Sequence, residues 1–108
     1  MKSIEQDPGV RHFVAYLENE KNASEHTVNN YLLDVTQFVR FTWGDDVKPP
    51  YAWEAADRFA ARKFLVAFQK AGSEPATTGR KLSSLRSFYR FLEREEKIEH
   101  NPALSGKL

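Results

Sequence analysis

The chain contains 108 residues, of which 41% are hydrophobic and 29% are charged, with 16 Lys and Arg residues against 15 Asp and Glu residues. This length fits one domain with a modest core, and the composition is that of a folded protein rather than a disordered one. The formal net charge of +1 excludes a strongly basic balance, so any nucleic-acid signal must lie in how the charges are distributed.

Two helices are predicted in the first part of the chain. Pro8 suits a first helical turn, and apolar residues at helical spacing then predict a helix from about Gly9 to Asn22. Ser24 is a good N-cap for the second helix because its hydroxyl can accept an otherwise orphaned backbone N–H, and Gly44 ends this helix. The apolar stripe of the second helix consists of Val28, Tyr31, Leu32, Val35, Phe38 and Val39.

A loop and a third helix follow. The prolines at 49–50 cannot lie inside a helix, so the segment around them is predicted to be a loop, with Trp53 folding back over the core. Asp57 suits the N-cap of a third helix that Gly72 stops, and a helix start near Tyr51 is the alternative. The side chains expected to face inward from this helix are Phe59, Ala60, Phe64, Leu65 and Phe68.

The fourth predicted helix has two unlike sides. It begins near Pro75, which is tolerated in a first turn, and continues to about Lys97, before Asn101 and Pro102 break it. At about 100° per residue, its packed side contains Thr78, Leu82, Leu85, Tyr89 and Leu92, with Lys81 and Phe88 at the border. The opposite side contains Arg80, Ser83, Ser87, Arg90 and Arg94. The complete pattern predicts an all-α fold in which four helices form a small bundle.

The outward sides of the second and fourth helices are candidate binding surfaces. Between Arg80 and Arg94 the fourth helix carries five basic residues and one acidic residue, and arginine offers a rigid donor fork for phosphate oxygens or a guanine edge. The second helix presents amides and hydroxyls that can read base edges. Its outward residues are His26, Asn30, Leu33, Gln37 and Arg40, flanked by Thr27 and Asn29. Both patterns are also typical of ordinary solvated helix faces, and this alternative stays open here.

No complete active site is found in the sequence. The three histidines lack metal-ligand spacing, the glycines are scattered, and no serine stands in a recognisable order with a histidine and a carboxylate. The absence of cysteine excludes disulfides and thiolate sites, and no apolar run approaches the roughly 18 residues of a membrane span. We therefore predict a cytoplasmic protein with no membrane contact, no metal, no cofactor and no catalytic residue in this chain.

Two segments carry a resemblance to a known family. "ASEHTVNNYLLDVTQFVRF" resembles the S-x-x-T-x-x-x-Y-x-x-D-(L/V)-x-x-F opening of the N-terminal core-binding domain of tyrosine recombinases, through Ser24, Thr27, Tyr31, Asp34, Val35 and Phe38. "GRKLSSLRSFYRFLEREEKIEHNPA" is similar to the last helix of that domain and its closing N-P. The similarity covers roughly residues 10–104 and is greatest to Xer-type chromosome-dimer-resolving enzymes and phage integrases.

The resemblance implies a four-helix, SAM-like core-binding domain over residues 1–104 that closes half of a clamp around DNA. Residues 105–108 then begin a linker to a C-terminal catalytic domain beyond Leu108. The implied groove-facing residues are His26, Thr27, Asn29 and Asn30 on the second helix and Ala76, Thr77, Arg80, Ser83, Ser84 and Ser87 on the fourth, to which the basic side adds Arg90 and Arg94. Ala76 departs from the basic residue of some relatives, and Glu74 replaces their usual serine cap.

The leading functional hypothesis is therefore binding of duplex DNA as the clamp domain of a site-specific recombinase or integrase. The resemblance also implies protomers of the same or a related recombinase as partners in a synaptic complex. By the same resemblance, the parent enzyme would cut a strand with a tyrosine and form a 3′-phosphotyrosyl link without a metal or an energy cofactor. The alternative is a helical protein-interaction module whose basic side meets an acidic partner, with no role for nucleic acid.

Overall fold

The computed structural model describes residues 4–56 and 58–95, and these residues divide into two units that meet in sequence at Tyr51 and Ala52. Within the described residues the chain forms four α-helices and two short 3-10 helices, and it contains no strand, so the predicted all-α class is confirmed. The α-helices are α1 (Pro8–Asn19), α2 (Glu25–Trp43), α3 (Arg58–Lys70) and α4 (Pro75–Arg94), and the 3-10 helices are Ile4–Gln6 and Trp53–Ala55.

The buried carboxylate of Asp7 fixes the start of α1. Its Oδ2 accepts a hydrogen bond from the backbone N–H of Val10 at 3.0 Å, so Asp7 is the N-cap that the predicted helix start at Gly9 did not include. Its Oδ1 accepts the backbone N–H of Tyr51 at 2.9 Å. The carboxylate therefore joins the first helix to the end of the loop that follows α2.

The first helix ends earlier than the sequence predicted. It stops at Asn19, and Asn22 has a left-handed backbone with φ of 53°, a conformation that asparagine tolerates better than most residues. The Ala23 N–H then donates to the Leu17 carbonyl oxygen at 2.8 Å and closes the turn. The reversal brings the chain into α2.

Both predicted ends of α2 are confirmed. Ser24 Oγ accepts the backbone N–H of Thr27 at 3.1 Å. Gly44 follows the last helical residue with φ of 91°, a left-handed conformation that glycine adopts without strain. The predicted apolar stripe is buried except for Tyr31, which is half-buried and meets Phe13 of α1 edge to face at 5.4 Å.

In the second unit, Trp53 folds back over the core as predicted. Its buried ring meets Phe88 edge to face at 4.7 Å, and its carbonyl oxygen accepts a hydrogen bond from the Tyr89 hydroxyl at 2.9 Å. The segment forms the short 3-10 helix rather than an early start of α3, so the alternative start near Tyr51 is wrong. Burial also raises the pKa of Tyr89 well above its ordinary value.

One expectation for α3 is wrong. Phe59 was expected to face inward, but its side chain is 50% exposed, whereas Ala61 and Phe64 are fully buried. Phe59 precedes Ala61 by two residues, which places the two side chains on nearly opposite sides of a helix. The predicted N-cap, Asp57, lies outside the described residues.

The packed side of α4 is also turned relative to the prediction. Leu82 is only half-buried, while Ser84 and Phe91 are buried, because the helix centres its packed side on Leu85 and Phe88. Lys81, expected at the border, is 2% exposed, and its Nζ lies 4.5 Å from the centroid of the Phe68 ring. The ring face offers the ammonium a cation–π contact inside the core.

The end of α4 precedes the predicted end near Lys97. The helix stops at Arg94, and Glu95 is its C-cap. The predicted break at Asn101 and Pro102 and the predicted linker at 105–108 lie outside the described residues.

Candidate nucleic-acid interface

The outward side of α4 is a continuous polar stripe, which we call the basic face. Its members are Arg80, Ser83, Ser87, Arg90 and Arg94. All of them are exposed except Ser87, which is half-buried. Since a helix rises about 1.5 Å per residue, the basic face runs for about 21 Å along α4. Three guanidinium groups therefore share one side of a single helix, opposite a fully packed side.

Two further α4 residues of the predicted set lie off this stripe. Thr77 is half-buried at the edge of the packed side. Ser84 is only 5% exposed, because the packed side of α4 is turned toward it. A buried hydroxyl does not reach an external ligand, so we remove Ser84 from the candidate residues.

The charge of the basic face is not uniform along its length. At its C-terminal end, the Arg94 Nε donates to a carboxylate oxygen of Glu95 at 3.2 Å, and the guanidinium lies 5.5 Å from the Phe91 ring. These contacts hold the Arg94 side chain in place and offset part of its charge. At the N-terminal end, the N-cap residue Glu74 forms no side-chain hydrogen bond with the helix, and its exposed carboxylate offsets part of the positive end of the helix dipole.

The first turns of α2 form a second polar surface. His26, Thr27 and Asn29 are exposed and Asn30 is half-buried. Thr27 Oγ1 accepts a hydrogen bond from the Ser24 hydroxyl at 3.1 Å, which fixes the threonine and leaves its own proton available to a ligand. Ser24 therefore both caps α2 and positions Thr27, which is the candidate contact residue.

His26 and Asn30 form a pair that sequence reasoning missed. The amide Nδ2 of Asn30 lies 3.2 Å from Nε2 of His26. The sequence analysis named each residue as a candidate but did not predict a contact between them. Their spacing of four residues could have indicated it, because residues four apart are neighbours on a helix surface. The contact holds two candidate ligand-binding side chains in one arrangement.

The character of this outward side changes along α2. Beyond Asn30 it presents apolar side chains, with Leu33 39% exposed and Phe41 47% exposed. Arg40 lies 3.9 Å from the carboxylate of Asp45. The polar candidates His26, Thr27, Asn29 and Asn30 thus lie in the first turns of α2, while Gln37 further along is half-buried. The α2 and α4 surfaces belong to different units.

Two pockets lie in the first unit. A cavity of about 50 Å³ is lined by Thr36, Arg40, Asp45 and Tyr51 among others, and a more open groove of about 240 Å³ along α1 is lined by Glu5, Val10, Arg11, Val14, Ala15 and Glu18. Both are smaller than the roughly 300–1,000 Å³ of typical small-molecule sites. Within the described part of the chain, no cluster of three or more His, Asp or Glu residues is placed to hold a metal ion. No described helix has the length and apolar content to cross a membrane. The exposed helix faces are therefore the candidate site.

Comparison with known proteins gives one consistent result. Residues 10–96 match the family described as phage integrase, N-terminal SAM-like domain. Tyrosine recombinase XerC of Natranaerobius thermophilus is 40% identical over 89 residues, which is 82% of this chain and 29% of that protein. The protein of the same name from Halalkalibacterium halodurans is 40% identical over 101 residues, covering 94% of this chain and 32% of the relative. That of Bacillus subtilis is 39% identical over 93 residues, covering 86% and 30%.

These matches have a defined extent. The chain spans about a third of the length of the curated relatives it matches. No solved structure is significantly similar to it.

Proposed function

Because the chain belongs to the family of phage integrase N-terminal SAM-like domains, we propose that it binds duplex DNA as the clamp domain of a site-specific tyrosine recombinase. In this proposal the chain contributes affinity and part of the sequence readout, and it contributes no bond chemistry. Membership of this family supports a role in DNA recombination. The exposed polar and basic helix faces support DNA as the ligand.

The basic face of α4 is the observation that carries the proposal. A helix that enters a major groove, which is about 12 Å wide, needs cations toward the phosphates and small side chains where its backbone comes closest to the bases. Arg80, Arg90 and Arg94 supply the cations. Ser83 and Ser87 supply small hydroxyl side chains between them. The net charge of the whole chain is close to zero, so this local excess accounts for the proposed attraction to phosphate.

The first turns of α2 add contacts of another kind. His26, Thr27, Asn29 and Asn30 offer amide, hydroxyl and imidazole groups and no permanent charge. Such groups suit base edges and phosphate oxygens near a helix N-terminus, where the dipole favours anions. We assign these residues to readout and the arginines of α4 mainly to affinity.

Two tyrosines on the helices of the candidate interface, Tyr31 and Tyr89, pack inside the protein. Tyr89 is buried and its hydroxyl is bonded to the Trp53 carbonyl oxygen, so it does not present a nucleophile to a phosphate. Tyr31 is half-buried against Phe13. In the proposal, strand cleavage by tyrosine belongs to the part of the recombinase that the match does not cover. Protomers of the same or a related recombinase are the proposed protein partners, and the cytoplasm is the proposed location.

The test is DNA binding as a function of salt. Fluorescence anisotropy on a labelled duplex, with the unaltered chain and an Arg80→Ala/Arg90→Ala/Arg94→Ala variant, gives the slope of log K against log salt concentration. Loss of three phosphate contacts lowers the magnitude of that slope by about 2.7. An unchanged slope in the variant contradicts the assignment of the basic face.

A charge-matched control separates this face from total charge. Arg62, Lys63 and Lys70 are exposed on α3, so replacing all three with Ala removes the same charge from another surface. The proposal expects the α3 variant to keep the slope of the unaltered chain. Failure of the unaltered chain to bind duplex DNA at low salt, together with binding to an acidic protein, would favour the interaction module instead.

A further inference from the structure

From the paired side chains at the start of α2, we infer that Asn30, held in place by His26, reads an adenine in the DNA target. This inference rests on the proposed function and deepens it, because it names a base and the residue that selects it. Asn30 is the specificity-determining residue, and His26 is a positioning residue that acts through it.

The pair fixes the orientation of the Asn30 amide. The Asn30 Nδ2 lies 3.2 Å from the His26 Nε2. An amide nitrogen donates hydrogen bonds and does not accept them, so we assign to the pair the tautomer in which Nε2 is the acceptor and the imidazole proton is on Nδ1. The same amide keeps one N–H and its Oδ1 uncommitted to His26.

One donor beside one acceptor is the pattern that adenine requires. Adenine presents the N7 acceptor and the N6 donor in the major groove, and an asparagine amide meets both with its N–H and its oxygen. Guanine presents two acceptors, N7 and O6, and repels the amide oxygen. With the opposite tautomer of His26, Oδ1 of Asn30 would turn to the ring and leave two N–H donors outward, which suits guanine. The tautomer of His26 therefore selects the base.

The position of the pair is suitable for this role. His26 is exposed and Asn30 is half-buried on the outward side of α2, and the Ser24 cap holds the first turn of the helix. Leu33, one turn further on the same side, is 39% exposed. The thymine opposite an adenine carries a methyl group in the major groove, and Leu33 provides an apolar surface for it. A leucine side chain has no hydrogen-bond donor or charge with which to bind a phosphate.

The test is selection from a pool of duplexes with a randomised central segment. We expect the unaltered 108-residue chain to enrich a motif containing one fixed A·T pair, and replacement of that pair by G·C to weaken binding by about 10-fold, within the range for a bidentate contact. Asn30→Ala abolishes the preference at that position and leaves the others. His26→Ala reduces it to less than about 3-fold.

His26→Gln is the rescuing variant. The glutamine oxygen can accept from the Asn30 Nδ2, so this variant restores the preference for adenine, which a purely structural role of the imidazole would not predict. A His26→Ala variant that keeps the full preference overturns the positioning role of His26.

A second measurement needs no DNA. Nitrogen-15 NMR of the free chain at neutral pH reports which ring nitrogen of His26 carries the proton. A proton on Nδ1 agrees with the inference, and a proton on Nε2 overturns it.

The two proposals fail differently. If the unaltered chain binds no duplex at low salt, the proposed function fails and the inference fails with it. If the chain binds DNA but its motif contains no adenine that depends on Asn30, the inference fails alone.

Discussion

The hydroxyl of Tyr89 in α4 donates a hydrogen bond of 2.9 Å to the backbone carbonyl oxygen of Trp53, and both residues are buried. The indole ring of Trp53 also packs edge to face against Phe88 of the same helix at 4.7 Å. The bond links two residues that are 36 positions apart in sequence, so it fixes the 3-10 helix that precedes α3 onto α4.

We expect Tyr89→Phe to lower the free energy of unfolding by about 1–3 kcal/mol, because it leaves a buried carbonyl oxygen without its donor. Tyr31→Phe is the matched control, since no described residue accepts a hydrogen bond from the Tyr31 hydroxyl; it changes stability by less than about 0.5 kcal/mol. Urea denaturation followed by circular dichroism measures both values. Equal stability of the two variants would contradict the role of the bond.

The same tyrosine predicts an alkaline limit to stability. Burial raises the pKa of Tyr89 in the folded chain, whereas an unfolded tyrosine ionises near pH 10. Above about pH 10 the unfolded chain loses this proton first, so the free energy of unfolding falls as the pH rises further. Below that pH the group contributes no pH dependence. Denaturation curves between pH 9 and about 11 test this: Tyr89→Phe shows the shallower decline, and Tyr31→Phe keeps the decline of the unaltered chain.

The basic residues of α4 are expected to differ in their effect on DNA binding. Lys81 is buried against Phe68 and does not reach a phosphate, so Lys81→Met leaves the salt slope of binding unchanged. Arg90 is exposed on the basic face, and Arg90→Ala lowers the magnitude of that slope by about 0.9. Anisotropy titrations at several salt concentrations provide the comparison. A reduced slope for Lys81→Met would show that the helix turns differently when DNA is bound.

Two adjacent serines separate binding from stability. Ser83→Leu adds bulk to the exposed side of α4 and holds the helix away from DNA, which weakens binding by about 1–3 kcal/mol. It leaves unfolding within about 0.5 kcal/mol. Ser84→Leu adds the same bulk to a buried position and lowers stability by about 1–3 kcal/mol. DNA affinity and urea denaturation of both variants are the measurements, and a Ser83→Leu chain with unaltered affinity removes Ser83 from the interface.

Capping and periodicity predicted most of the fold because they are local. Ser24, Gly44 and Pro75 each act on the helix that they border, and their roles were confirmed. The predicted burial of Phe59 is wrong. The prediction rests on the aromatic character of the residue, whereas the partner helix determines which side of α3 is packed. Burial of Lys81 depends on the ring of Phe68, a contact between two helices that no pattern within one helix contains.

The candidate site was predicted at the level of helix faces rather than of single side chains. The spacing of Arg80, Ser83 and Arg90 placed them together on an exposed side, because helical periodicity alone determines this. The predicted exposure of Ser84 is wrong, because a small rotation of α4 about its axis moves a residue at the border of the packed side into the core. The hydrogen bond between His26 and Asn30 depends on rotamers, which sequence spacing permits but does not select.

The carboxylate of Asp7 bears on where this domain can be trimmed. The family similarity begins at residue 10, so a shortened version designed from the alignment would start beyond Asp7. Such a version would lack the group that receives the amides of both Val10 and Tyr51. The physical boundary of the domain therefore lies upstream of the recognisable one, and a minimal version that is meant to fold must begin before Asp7.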